Sequence, residues 1–225
     1  MKLLPAVVSE FVGSFFLSAV VVGSGIAAQQ LSPGQLGLEL LENAGATAAG
    51  LYVLITVFGP VSGAHFNPLV SFLDVVVHRR SLRRALAYLP AQIVGCSIGA
   101  MVANAMFALP LVTLSTHHRV TGPHLLAEAV ATFGLLFVIF GLSRTGQAPK
   151  SASVVACYIG AAYFFTSSTS FANPAIVLGR TLTNSFAGIA PASVPMFLVV
   201  ECGGALVAVG LLRLLFPERT TNDNS

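Results

Sequence analysis

The sequence predicts an all-α membrane protein: six transmembrane helices plus two re-entrant half-helices, arranged as an inverted repeat. Three observations carry that expectation. Of the 225 residues 55% are hydrophobic and only 8% are charged, whereas soluble domains carry about 25% charged residues. Positions 11–38, 43–73, 85–118, 151–179 and 181–200 contain no Asp, Glu, Lys or Arg. Two Asn-Pro pairs, in "GAHFNPLVSFL" at 63–73 and "SFANPAIVLGR" at 170–180, fall at what those runs make membrane depth.

A spanning helix needs roughly 20 apolar residues at about 1.5 Å rise each. The first span is expected near 6–28. Lys2 precedes it, but Glu10 interrupts the apolar run and no small-residue cleavage site follows, so it reads as a retained span and not a signal peptide. The second is expected near 43–61. From Pro68 to Val77 only about ten residues are left, ~15 Å of helix, half of a ~30 Å hydrocarbon core. The third and fourth spans fall near 85–108 and 124–142. The run 151–179 is too long for one span, and the polar "TSSTS" at 166–170 marks a chain that stops, turns and re-enters after a fifth span near 152–168. The sixth lies near 194–215.

Asn-Pro suits the start of a half-helix. Asn is a preferred N-cap and Pro fits the first helical turn. Each Asn would then keep its amide N–H₂ as two spare donors. Irregular backbone at this depth is tolerated only where it lines a wet cavity or is buried in protein. Two half-helices meeting N-terminus to N-terminus place two positive dipole ends at the membrane centre. Such a site favours neutral or electron-rich solutes and repels cations, protons included.

The chain also repeats itself. "EFVGSFFL" at Glu10 and "EAVATFGL" at Glu128 share Glu, Val, Phe and Leu at equal offsets. Each start leads to one Asn-Pro segment, and an odd number of spans per half turns the second half upside down. Inverted repeats with interrupted segments at matching positions point to a midplane pathway at their interface. The repeats are expected at about 1–110 and 120–217 of a single channel domain, with 218–225 a cytoplasmic tail.

The net charge of +3 does not call for a nucleic-acid partner, because its placement is one-sided. Lys2, Arg79, Arg80, Arg83, Arg84, Arg144, Lys150, Arg213 and Arg219 fall on one side of a six-span arrangement, and only Arg119 and Arg180 on the other. By the positive-inside rule both termini are cytoplasmic, in a multi-pass plasma or inner membrane protein surrounded by lipid. Cys96, Cys157 and Cys202 all lie in apolar spans and read as buried small hydrophobes, not as a disulfide or metal set. No cofactor or metal is expected, and no nucleophile–base pair or phosphate-binding loop suggests an enzyme.

With "SGAHFNP", "ANPA", the two Glu-containing starts and "LPAQIVGCSIGA" in order along nearly the whole chain, the sequence resembles the aquaporin and aquaglyceroporin (major intrinsic protein) family. The resemblance implies the hourglass fold of that family, a pore in each subunit and a homotetramer. It makes Asn67 and Asn173 the pore asparagines, and Glu10 and Glu128 buried acceptors that hold re-entrant backbone. His65 is either a polar lining on the cytoplasmic side or a packed, hydrogen-bonded histidine. Glu201, in the sixth span, has no counterpart in that pattern and is either a local hydrogen-bonding group or a tetramer contact.

Several positions depart from the pattern. Leu69 stands where Ala is usual, either repacking the junction of the half-helices or altering the constriction. Ile176 stands where the filter arginine is usual, and Val177 where glycerol facilitators often carry Asp. Carrying the other filter positions over by spacing gives Thr47, Ala161 and Ser170. Thr47, Ala161, Ser170 and Ile176 together imply a wide, weakly polar filter. Arg180, one turn beyond Ile176 on the same helical face, is either a displaced filter charge or a surface snorkeller. The snorkeller is favoured, leaving no pore charge in place of the missing arginine. The expected function is a passive channel for small neutral solutes: glycerol-like polyols, urea, arsenite and antimonite hydroxides, and water. The alternatives are a secondary transporter and a non-conducting structural protein of the same fold.

Overall fold

The computed structural model describes residues 2–217, which form helices and connecting loops with no strand among them. The helices are α1 (Leu3–Leu31), α2 (Leu36–Ser62), α3 (Pro68–His78), α4 (Leu82–Met106), α5 (Gly122–Arg144), α6 (Ser151–Phe165), α7 (Pro174–Arg180) and α8 (Val194–Leu215). The expected tail at 218–225, with Arg219, lies outside the described residues. α3 and α7 are the two half-helices, with 11 and 7 residues.

Five of the long helices are long and apolar enough to cross a membrane. α6 is shorter than its expected span, with 15 residues, or about 22 Å at 1.5 Å per residue. It ends early because Thr166 turns back, its Oγ1 donating to Ala162 O at 2.6 Å. Hydroxyl side chains that bond nearby backbone compete with helix continuation, and the rest of "TSSTS" becomes a turn. At the other end a 3-10 turn, Ala148–Lys150, extends the rod.

The contacts are related by the inverted repeat. α1 packs on α2 and α4 as α5 packs on α6 and α8, α4 touches α7 as α8 touches α3, and α2 meets α6 across the middle. The closest approaches depend on glycine. A Cβ at Gly95 of α4 would lie 2.5 Å from Phe11 O of α1, and one at Gly204 of α8 would lie 2.4 Å from Ala129 O of α5. Small residues let membrane helices approach this closely. Because the obstacle is backbone, Gly95→Leu is expected to cost more than about 1–3 kcal/mol of overpacking. Thermal unfolding of detergent-solubilised protein measures it. Gly37→Ala, with nothing within 4 Å of the added Cβ, should leave the transition in place.

The outer faces carry exposed Leu41, Val57, Phe164 and Leu206, an apolar belt suited to lipid. Cys157 and Cys202 belong to that outer surface; only Cys96 is buried. Reading all three as buried therefore fails. An apolar span has a lipid face as well as a protein face, and cysteine is accepted on either.

Candidate functional site

The two half-helices start where the Asn-Pro pairs stand. Asn67 and Asn173 both hold extended backbone as N-caps, followed by proline in the first turn. Asn67 Oδ1 accepts the Leu69 N–H at 2.9 Å. Asn173 Oδ1 accepts those of Ala175 and Ile176 at 3.0 and 3.4 Å. The amide nitrogens then cross over: Asn67 Nδ2 donates to Ala172 O, and Asn173 Nδ2 to Phe66 O, each at 2.7 Å. The two N-termini are thus locked to each other's entry loops. One N–H of each amide is spent on this lock, so each Asn keeps one spare donor, not two.

The entry loops are conformationally costly. Ala64 and Phe66 in one, and Ser170 and Ala172 in the other, have φ between 47° and 51°, a left-handed region that non-glycine residues visit rarely. Buried carboxyls hold them. Glu10 accepts the His65 and Phe66 N–H groups at 3.0 and 2.6 Å, and Glu128 accepts those of Phe171 (3.2 Å) and Ala172. Both acids are fully buried.

A cavity of about 200 Å³ runs past both asparagines. At its α3 end stand His65, Asp74, His78 and Ser143. Asp74 Oδ1 lies 2.7 Å from His78 Nδ1, and His78 Nε2 lies 2.8 Å from Ser143 Oγ. His65 satisfies both of its readings: it lines the cavity, and its Nδ1 lies 3.1 Å from Ser71 Oγ. At the α7 end stand Thr47, Tyr163, Ser170, Phe171, Ile176 and Arg180. Thr47 Oγ1 and Tyr163 OH are 3.2 Å apart. Ser170 Oγ has no partner among the described residues.

Of the residues singled out in the sequence, Asn67, Asn173, Thr47, Ser170, Ile176, His65 and Arg180 line this cavity, while Ala161, Leu69 and Val177 do not. Ala161 is exposed on the outer face of α6. The cavity face of that helix is Val155, Ile159 and Tyr163, one residue per turn, and Tyr163 occupies the place given to Ala161. Counting back from Asn173 failed because it crosses the irregular 166–172 segment. The i, i+4 series ending in tyrosine was the signal available. Leu69 packs in a second core with Val70, Leu73, Leu136, Phe140 and Leu212, so it repacks the junction and leaves the constriction alone. Val177, fully buried, sits in the main core.

Arg180 is not a snorkeller. It is 1% exposed, its guanidinium carbon lies 3.5 Å from the Phe171 ring centroid, and its Nε donates to Ala187 O. α7 ends at Arg180 and the following chain folds back over it, which buries what a longer helix would have carried to the surface. Since Arg180 lines the cavity, a positive charge does stand one turn beyond Ile176. Arg119 was not expected here either. It donates to Gly188 O and Phe186 O at 2.8 and 3.0 Å and lies 5.2 Å from the Phe171 ring. Glu201 is fully buried and accepts the Asn173 N–H at 2.9 Å, which excludes a tetramer contact.

Residues 1–171 match the model of the family described as Major intrinsic protein. The chain is 45% identical over 214 residues to the aquaglyceroporin AqpS of Rhizobium meliloti, covering 94% of this chain and 91% of that protein. It is 31% identical over 159 residues to a probable TIP-type aquaporin of Medicago truncatula, 67% of this chain and 60% of the relative. The X-ray structure of the aquaglyceroporin from Plasmodium falciparum superposes with a TM-score of 0.69, over 95% of this chain and 97% of that one. At 20% identity that likeness speaks for the fold alone.

Proposed function

The chain belongs to the major intrinsic protein family, and from that premise we propose that its cavity is the pore of a passive channel for small neutral solutes. The observation that carries this is the crossed pair of asparagines, each capping a half-helix and each with one free amide N–H beside the cavity. Two helix N-termini, each about +0.5 charge, face any passing solute and disfavour cations. Neutral molecules exchange hydrogen bonds with the amides and pass.

The filter is Thr47, Tyr163, Ser170, Ile176 and Arg180. It is narrower and more polar than Thr47, Ala161, Ser170 and Ile176 alone would make it, because Tyr163 adds bulk and Arg180 adds charge. The hydroxyls of Thr47, Tyr163 and Ser170 form a polar rail beside the apolar side chains of Ile159 and Ile176. One polar and one apolar side suit glycerol-like polyols, urea, and the neutral hydroxides of arsenite and antimonite, with water also passing. The channel is a homotetramer with one pore per subunit, in the plasma or inner membrane, with both termini cytoplasmic. Residues 1–110 and 120–217 are its two repeats, and 218–225 its cytoplasmic tail.

Stopped-flow light scattering on proteoliposomes tests the channel directly. Glycerol-driven swelling should rise linearly with the gradient and be independent of ions. Saturable, ion-coupled uptake would make the protein a transporter, and absence of flux would make it a structural membrane protein. Within the channel, Tyr163→Ala should speed glycerol entry several-fold by opening the aperture. Ala161→Phe, on the outer face, should change nothing.

A further inference from the structure

Three consecutive backbone N–H groups enter the second half-helix, and two acids receive them. Glu128 accepts from Phe171 and Ala172, and Glu201 Oε1 accepts from Asn173 at 2.9 Å. Both carboxyls are fully buried, and they take adjacent N–H groups of one entry loop, Glu128 that of Ala172 and Glu201 that of Asn173. The second oxygen of Glu201, Oε2, receives no hydrogen bond from any donor among the described residues. Two ionised carboxylates cannot bond to each other, since both only accept.

The first repeat shows what belongs in this place. Gln92 of α4 stands three residues before Gly95, which meets the backbone of Phe11, the neighbour of Glu10. Glu201 of α8 stands three residues before Gly204, which meets the backbone of Ala129, the neighbour of Glu128. Gln92 and Glu201 are therefore equivalent under the inverted repeat. Gln92 Nε2 donates to Glu10 Oε2 at 2.8 Å. The same office toward Glu128 requires a donor, and the only one Glu201 can offer is an acid O–H.

We propose that Glu201 is a positioning residue for Asn173: a carboxyl held in its protonated form, donating its O–H to Glu128 while accepting the Asn173 N–H. The proton resides on Glu201 because Glu128 is the better-supported anion. Glu128 accepts two backbone N–H groups and Glu201 only one; donors of this kind favour the ionised form. Cys202, the next residue along α8, is exposed on the outward side of that helix. The pair then carries one negative charge. A second charge here would oppose the positive half-helix ends beside the pore.

The consequence for solute passage rests on the channel assignment above, but the proton itself is read spectroscopically, without flux. Difference infrared spectra of the full-length protein in liposomes should show a protonated-carboxyl C=O stretch that is lost in Glu201→Gln. Glutamine can donate and accept at the same points, so that variant should keep wild-type glycerol flux and cation tightness, whereas Glu201→Leu should lose most of its flux. Three results would overturn the proposal: a band that survives Glu201→Gln and disappears in Glu128→Gln, no such band in the wild type, or Glu201→Gln losing flux as fully as Glu201→Leu. Should wild-type flux be absent while the band behaves as expected, the channel assignment fails and the protonated anchor stands.

Discussion

Arg180→Gln is expected to make the pore leak cations while glycerol continues to pass. The guanidinium is buried beside the cavity, stacked on Phe171 and bonded through Nε to Ala187 O. Among the described residues it has no carboxylate bonded to it, so its charge acts on whatever enters. At an effective dielectric of about 20, a unit charge roughly 6 Å from a passing cation costs that ion about 3 kcal/mol, more than a hundredfold in rate. Glutamine can still donate to Ala187 O, so the fold-back over α7 should survive. Proton and Na⁺ leak, followed with a pH-sensitive dye and by conductance in planar bilayers, should rise by one to two orders of magnitude. Arg180→Lys retains the charge and should stay close to wild type for cations, while losing the flat stack on Phe171. An unchanged leak in Arg180→Gln would assign the barrier to the half-helix ends alone.

The second large effect is expected at Asn173. Asn173→Asp replaces the amide N–H₂ that donates to Phe66 O and keeps one N–H beside the cavity. The helix cap is preserved, since the carboxylate oxygen still accepts from Ala175 and Ile176. A full negative charge then cancels two dipole ends of about +0.5 each, and a cation at the midplane is no longer repelled. Conductance to Na⁺ should exceed wild type, most strongly at alkaline pH where the new carboxyl is ionised. Water flux should fall less than cation leak rises. A folded variant that excludes cations as well as wild type would show that the midplane charge does not set the barrier.

Much of the fold was legible because its signals are local. The Asn-Pro pairs carry both the cap and the first-turn residue of each half-helix, and the repeated glutamates mark equivalent sites on α1 and α5. Uncharged runs of about 20 residues placed the spans to within a few residues, except that α2 begins well before its apolar run and α6 stops early. What was not legible depends on chain that is neither helix nor strand. The phase of α6 relative to Asn173 passes through residues 166–172, where counting by helical turns loses meaning, so spacing points to Ala161 where the cavity face carries Tyr163. Arg180 looks like a surface cation in the sequence because nothing in "NPAIVLGR" announces that 181–190 folds back over it. The role of Glu201 requires α5 and α8 to be side by side, a contact between residues 73 positions apart in sequence.

On the proposed pathway solutes pass between the half-helix N-termini and along the Tyr163 face of α6. Thiol mapping tests it most directly. In a background with Cys96→Ala, Cys157→Ser and Cys202→Ser, a cysteine is introduced by Tyr163→Cys or by Ala161→Cys, and glycerol flux is recorded before and after a membrane-impermeant thiol reagent. Block of the Tyr163→Cys channel with the Ala161→Cys channel unaffected is the predicted result. Block at Ala161→Cys, with flux through Tyr163→Cys untouched, would contradict it.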